Sequence, residues 1–196
     1  MPRKTLVHRK TKETDIKIEL NIDGKGKTKI LTPISFLNHL LDNFARHGLS
    51  DLKITASGDI EIDQHHTVED IGISLGEAFI KALGDKKGIN RAGYFVFPMD
   101  ESLAVVAVDI SGRAFLNFDC KFKKEKIGDL ESDLIKEFFW GFSRALKATL
   151  HIRVLYGEND HHKAESIFKA FGKAMKMACS KDKRILKELP TTKGII

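Results

Sequence analysis

The sequence predicts an α+β sandwich made of two related halves. Three observations carry that expectation. A block repeats: residues 63–69 read D-Q-H-H-T-V-E, and residues 159–165, displaced by 96 positions, read N-D-H-H-K-A-E. Around it, Gly76 falls on Gly172, Ala78 on Ala174, Ala82 on Ala178, Phe44 on Trp140 and Ile54 on Leu150 at the same displacement. The same order of strand and helix patterns also runs through residues 1–90 and 91–196, with no Pro/Ser/Gly linker between them. The two half-repeats, the second with a C-terminal tail, are therefore expected to form one fused unit.

Each element has its own signal. Asp15 to Asp23 places Ile16, Ile18, Leu20 and Ile22 on alternate positions, the mark of a half-buried strand. Gly24-Lys25-Gly26 is a turn signal, and Lys27 to Leu31 a short strand. Pro33 opens a helical pattern through Phe36, Leu37, Leu40, Leu41 and Phe44, stopped by Gly48. Asp51 to Ala56 is a strand, and Thr67 to Leu83 a helix stopped by Gly84. In the second half Arg91 to Phe97, Leu103 to Asp109 and Ala114 to Phe118 are expected as strands. Glu131 to Lys147 is expected as a helix, Thr149 to Leu155 as a strand and His161 to Cys179 as a helix.

Composition narrows the function. Over 196 residues, 42% are hydrophobic and 31% charged, an ordinary globular balance with 13 Phe available for a core. The net charge of +6 is spread along the chain without a block of five like charges, so no nucleic-acid arm is indicated and an anionic small molecule fits as well. Cys120 and Cys179 stand far apart, outside any C-x-x-C pair, which points to a reducing, cytoplasmic compartment. The start, Met-Pro-Arg-Lys, has no apolar signal region, and runs such as Leu103 to Val108 are too short to span a bilayer.

Four of the eight histidines lie in the two His-His pairs, each followed by a Glu. Residues i and i+4 share a helix face, so His65 with Glu69, and His161 with Glu165, can reach one ion. His66 and His162 are turned about 100° away and face a different ion. A lone His-His pair at a helix start commonly does no more than face solvent. Two copies, each with Glu at the same spacing, point to two divalent transition metals held by imidazole and carboxylate. Six ligands are too few for two ions, and His39 and His151 are candidate additions. At the 96-residue displacement His151 falls on Thr55, so these two are not repeats of each other.

Beyond these motifs, eight blocks in order resemble the imidazoleglycerol-phosphate dehydratase family of histidine biosynthesis. They are R-K-T-K-E-T (9–14), F-L-N-H-L-L-D-N-F-A-R-H-G (36–48), D-Q-H-H-T-V-E-D (63–70), G-I-N-R-A-G (88–93), P-M-D-E-S-L-A (98–104), D-I-S-G-R (109–113), H-I-R-V-L-Y-G-E-N-D-H-H-K-A-E (151–165) and T-T-K-G (191–194). The resemblance implies βββαβα-like halves similar to the second domain of ribosomal protein S5. It implies two Mn(2+) ions, one on His39, His66, His161 and Glu165, the other on His65, Glu69, His151 and His162. It also implies a 24-subunit assembly with sites between subunits, and dehydration of imidazole glycerol phosphate to imidazole acetol phosphate. The tail departs modestly from the family's usual Ser-Thr-Lys-Gly, since Thr191 keeps the hydroxyl. No phosphatase-type extension is expected.

The implied reaction removes a proton from a carbon next to no carbonyl, so enolate chemistry is closed to it. A metal-held imidazole that sheds its ring proton is electron-rich enough to expel the neighbouring hydroxyl. Glu13 is the first candidate for proton transfer, His47 a second and metal-bound water a rival. By resemblance, Glu13, Arg91, Arg113, Lys169, Thr191, Thr192 and Lys193 contact the phosphorylated imidazole substrate. Asp100 and Glu101 could orient a ligand histidine or simply form a turn. Two other functions compete: a metal-storage assembly, which has no use for the anion contacts, and a di-metal phosphate-ester hydrolase, which generally brings more Asp ligands.

Overall fold

The computed structural model describes residues 3–196. The strands are β1 (Lys4–Lys10), β2 (Thr14–Asn21), β3 (Thr28–Leu31), β4 (Asp51–Gly58), β5 (Ala92–Met99), β6 (Ser102–Asp109), β7 (Phe115–Asp119), β8 (Lys126–Ile127), β9 (Leu130–Glu131) and β10 (Thr149–Tyr156). The helices are α1 (Ser35–Gly48), α2 (His65–Leu83), α3 (Leu134–Leu146) and α4 (Asp160–Cys179). One sheet runs β1-β2-β4-β3 and the other β5-β6-β10-β7, so corresponding strands take corresponding places. In each the first three strands are antiparallel, and the short third strand in sequence joins the far edge in parallel register. The α+β architecture with duplicated halves is the one the sequence predicts.

Strand alternation aims one face of each sheet inward. Ile16, Ile18 and Leu20 of β2, and Ala104, Val106 and Val108 of β6, are buried while their neighbours face out. Each helix buries a stripe against its own sheet and packs the rest on a helix of the other half: α1 on α4, α2 on α3. Phenylalanines fill that helical middle. Phe44 stacks on Phe171 at 4.8 Å, and Phe142 meets Phe171 edge-on at 4.9 Å. Burying each such ring contributes about 1.5–3 kcal/mol. Glycine permits the close helix contacts. A Cβ at Gly172 would lie 2.3 Å from the Phe44 carbonyl oxygen, and one at Gly76 would lie 2.7 Å from that of Phe142.

These paired contacts refine the repeat. Gly76 and Gly172 correspond at a displacement of 96, but their carbonyl partners, Phe44 and Phe142, are 98 apart. The left-handed residues that end α1 and α3, Leu49 and Lys147, are also 98 apart. Phe44 therefore corresponds to Phe142 rather than Trp140, Ile54 to Ile152 rather than Leu150, and His151 to Lys53 rather than Thr55. The connection between β10 and α4, residues 157–159, is three residues shorter than that between β4 and α2, residues 59–64, and α4 begins one residue earlier relative to its His-His pair; the net loss of two restores 96 for the two His-His motifs. A single-displacement comparison cannot register such a gap.

Three elements differ from expectation. β1 adds an edge strand whose only buried residue is Val7. The β8–β9 hairpin sits in the long connection before α3 and has no counterpart in the first half. α3 begins at Leu134, three residues later than the periodicity suggests, because Leu130–Glu131 is spent on that hairpin.

Candidate active site

The N-terminal turns of α2 and α4 carry the two motifs, and α1 brings His39 alongside α4. His39 Nε2 lies 2.6 Å and His161 Nε2 2.9 Å from the same oxygen of Glu165. These three donors form a convergent group among the described residues. Both histidine side chains are 45% exposed while that of Glu165 is 8% exposed, so the carboxylate is the floor and the rings are the rim. Burial pushes the Glu165 carboxyl up, but the Lys169 ammonium and the two imidazoles outweigh it and bring the group down to about 2. Lys169 sits on the other Glu165 oxygen, with its Nζ 5.9 Å from the centre of the Phe97 ring. The Phe36 ring packs 4.9 Å from His161 and 6.0 Å from His39. A recess of about 430 Å³ opens over this group, between Phe36, His39, Asp129, His161 and Glu165. A larger concavity of about 650 Å³, over the first sheet near Leu6, Glu19 and Lys53, holds no histidine.

Other expected ligands stand elsewhere on the chain. His65 Nε2 is 3.8 Å from Glu69, as the i,i+4 spacing requires. His66 and His162, turned from their neighbours, each direct Nδ1 at a carboxylate. His66 meets Asp59 at 3.1 Å, and His162 meets Glu101 at 2.6 Å. A histidine held at Nδ1 by a carboxylate presents Nε2 to a metal with its ring fixed. Glu101 also accepts the backbone N–H groups of Glu158 and Asn159, so one side chain orders both the ring and the start of α4. The sequence left Glu101 open between orienting a ligand histidine and forming a turn; it lies in the β5–β6 turn and holds the His162 ring. Asp59 escaped notice, because it lies in the connection before α2, where no helical or strand periodicity relates it to His66. His151 lies on β10 between the inward-facing Leu150 and Ile152, on the solvent face of its sheet, with its ring 5.7 Å from Phe115.

The donors fit divalent transition metals: imidazole and carboxylate converge, and no thiol takes part. Burial pushes both Cys120 and Cys179 up to about 12, so neither supplies a thiolate at neutral pH.

The remaining candidates fall into two groups. Glu13 Oε2 is 3.8 Å from His66 Nδ1, beside a ligand candidate. His47, at the far end of α1 from His39, meets Phe97 edge-on at 5.0 Å. Burial lowers its pKa, and nearby Lys169 and Lys173 lower it further, which favours the neutral ring. At one end of the second sheet, Arg91 binds Asp109 through Nε and Nη2, at 2.6 and 2.9 Å. Its Nη1 donates to the Pro190 carbonyl at 3.0 Å, which ties the C-terminal tail to this end. A Cβ on Gly112 would lie 3.0 Å from the Ile196 carbonyl carbon, so the tail returns beside Arg113. Arg113 is exposed and has no ion-pair partner among the described residues. Thr191, whose Oγ1 accepts the Lys193 N–H, sits with Thr192 and Lys193 on the same tail.

A family model for imidazoleglycerol-phosphate dehydratase matches residues 32–175. The chain belongs to the imidazoleglycerol-phosphate dehydratase family. As a member of that family it is an enzyme, a hydro-lyase. It is 55% identical to the imidazoleglycerol-phosphate dehydratase of Koribacter versatilis over 194 residues, 99% of this chain and 100% of that one. Its fold matches the crystal structure of the Pyrococcus furiosus IGPD, in complex with (S)-C348. The TM-score is 0.84 at 40% identity, over 97% of this chain and 100% of that one. The imidazoleglycerol-phosphate dehydratase of Staphylococcus aureus superposes with a TM-score of 0.80 at 38% identity, over 91% of this chain and 99% of that one. No helix of the described residues is long and apolar enough to cross a membrane.

Proposed function

We propose that the chain dehydrates imidazole glycerol phosphate to imidazole acetol phosphate, within cytoplasmic histidine biosynthesis, using two Mn(2+) ions. The observation that carries this reading is the convergence of His39 and His161 on Glu165, beneath a recess of substrate size. The first ion is assigned to His39, His66, His161 and Glu165, and the second to His65, Glu69, His151 and His162. Bound manganese supplies Lewis acidity that stabilises negative charge on the substrate ring.

Both sets are divided in a single chain. His66 stands with Asp59, away from Glu165, and His151 faces out from the second sheet. This division supports self-association, with ligands from neighbouring copies meeting to complete each site. A 24-subunit shell is the arrangement we assign to it.

The chain's own groups then divide the work. Glu13, next to His66, carries the proton between substrate carbon and solvent. His47 is the second candidate, since burial favours the neutral ring that a base requires. Lys169 holds Glu165 ionised and fixed, and contacts substrate from the same position. Arg113, Thr191, Thr192 and Lys193 gather the phosphate, with Arg91 anchoring the tail that brings them together.

The test is turnover by manganese-loaded protein of imidazole glycerol phosphate, against generic phosphate esters. We expect two manganese ions per chain and activity on the imidazole substrate alone. Glu13→Gln should retain both ions and lose most turnover. Hydrolysis of generic esters, or a Glu13→Gln protein with undiminished turnover, would contradict the assignment.

A further inference from the structure

The β8–β9 hairpin belongs to the second half of the chain and packs beside α3, yet its turn also reaches the helix starts of the first half. Helix α1 has no cap of its own: Ile34 occupies the capping position with no side-chain hydrogen bond, and the first turn contains no acidic residue. Asp129, in the hairpin turn, supplies the missing acceptor from 94 residues away. Its Oδ2 accepts the Ser35 N–H at 2.6 Å and its Oδ1 the Phe36 N–H at 2.8 Å. Two otherwise unpartnered amides and the positive end of the helix dipole meet one carboxylate. The Phe36 and Ser35 amides hold the Asp129 carboxyl below its usual range, against a burial effect in the opposite direction.

The same turn reaches α2. The Asp129 carbonyl accepts from Gln64 Nε2 at 2.7 Å, and Gln64 Oε1 accepts the Glu131 N–H at 3.2 Å. Gln64 immediately precedes His65 and His66. The hairpin therefore grips the first turns of both ligand-bearing helices of the first half. Gly128, at φ 61°, lets the turn lie flat on Phe36: a Cβ there would be 3.2 Å from the Phe36 Cβ. Phe36 in turn packs on the His39 and His161 rings. Gly128 and Asp129 also line the recess over the metal group. His39 lies four residues beyond Ser35, on the same helix face, so the position of the capped turn sets the position of His39.

We propose that Asp129 is a positioning residue for metal binding: by clamping the first turn of α1 it fixes His39 against Glu165 and His161. The proposal rests on the metal reading of that group. It touches no reacting atom, so its effect should appear in metal affinity rather than in the chemical step.

The experiment measures Mn(2+) binding by titration of metal-free protein, with thermal unfolding of the same samples. The variants are Asp129→Ala, Asp129→Asn, Asp51→Ala and His39→Ala. Asp51 is the control. Its carboxylate likewise accepts two backbone N–H groups, of Lys25 and Lys27, but at the other end of α1. Removing a group that orients a metal ligand typically costs 10–100-fold in metal affinity. Asp129→Ala should weaken manganese binding by about tenfold or more, and Asp129→Asn, which keeps one acceptor, by less. Asp51→Ala should lower the unfolding midpoint while leaving affinity unchanged. Wild-type affinity in Asp129→Ala would overturn the clamp, as would equal weakening in Asp51→Ala, which would make affinity follow stability alone. Full manganese binding by His39→Ala would instead overturn the metal reading itself.

Discussion

Replacing Gly172 by Ala tests the contact that brings α1 to α4, and with it His39 to Glu165. The added Cβ would lie 2.3 Å from the Phe44 carbonyl oxygen and 2.9 Å from the Gly48 nitrogen. Both are backbone atoms, so no rotamer change relieves the overlap. An ordinary contact begins near 3.4 Å, which leaves a shortfall of roughly 1 Å that the helices must absorb by separating. Overpacking of this kind costs about 1–3 kcal/mol. Alanine also favours a helix by about 1 kcal/mol over glycine, which opposes the loss. Because two backbone atoms oppose the new methyl, the steric cost falls in the upper part of its range, about 2–3 kcal/mol, and the net loss is about 1–2 kcal/mol. At this chain length that lowers the unfolding midpoint by about 2–8 °C. Calorimetry on metal-free protein measures it directly. Manganese titration of the same variant should show weaker binding, since the 2.6 Å approach of His39 to Glu165 spans the helices being separated. A midpoint equal to or above wild type would refute the argument, because it would mean that the gap closes without strain.

Two further expectations concern other parts of the chain. Arg113→Ala should raise the substrate dissociation constant by about ten- to a hundredfold, the loss of one charge-assisted phosphate contact, with metal content unchanged. A dephosphorylated analogue should bind both proteins alike, and an equal loss for the analogue would make Arg113 structural. Asp51 is held below its usual range by the Lys25 and Lys27 amides, so its stabilisation is fully present above the unfolded value, near 3.9, and fades as pH falls through the lower folded value. The stability difference between wild type and Asp51→Asn, followed by denaturant titration, should therefore shrink below about pH 4; a gap constant to pH 2 would show that the contribution is not ionic.

Much of this was legible in the residues, for reasons that differ by element. β2, β6 and the four helices announce themselves because alternation or a 3.6-residue stripe persists over several turns or pleats. β1 buries only Val7 and gives no alternation to read, and two-residue strands such as β8 and β9 are shorter than any period. The site shows the same division. His65 with Glu69 and His161 with Glu165 follow from helical spacing, and the structure pairs them that way. Asp59 meets His66 because the connection from β4 folds back on the first turn of α2, and Asp129 meets α1 across 94 residues, set by how the layers stack. Glu101 was visible only as an option. Its choice depends on where the β5–β6 turn falls relative to α4, which no local pattern contains.

The hairpin also sets a schedule for synthesis. A chain emerging from the ribosome at about 5–20 residues per second exposes the start of α1 for roughly 5–20 s before Asp129 appears, 94 residues later. Glu165 arrives later still, 126 residues after His39. During that interval the apolar stripe of α1 has its own sheet but not α4, its partner in the other half. The first half therefore waits, partly covered, on the second, and the final packing of the helical middle is an event of the completed chain. Slow translation between residues 90 and 165 would lengthen the period in which Phe36, Leu40 and Phe44 are open to wrong partners.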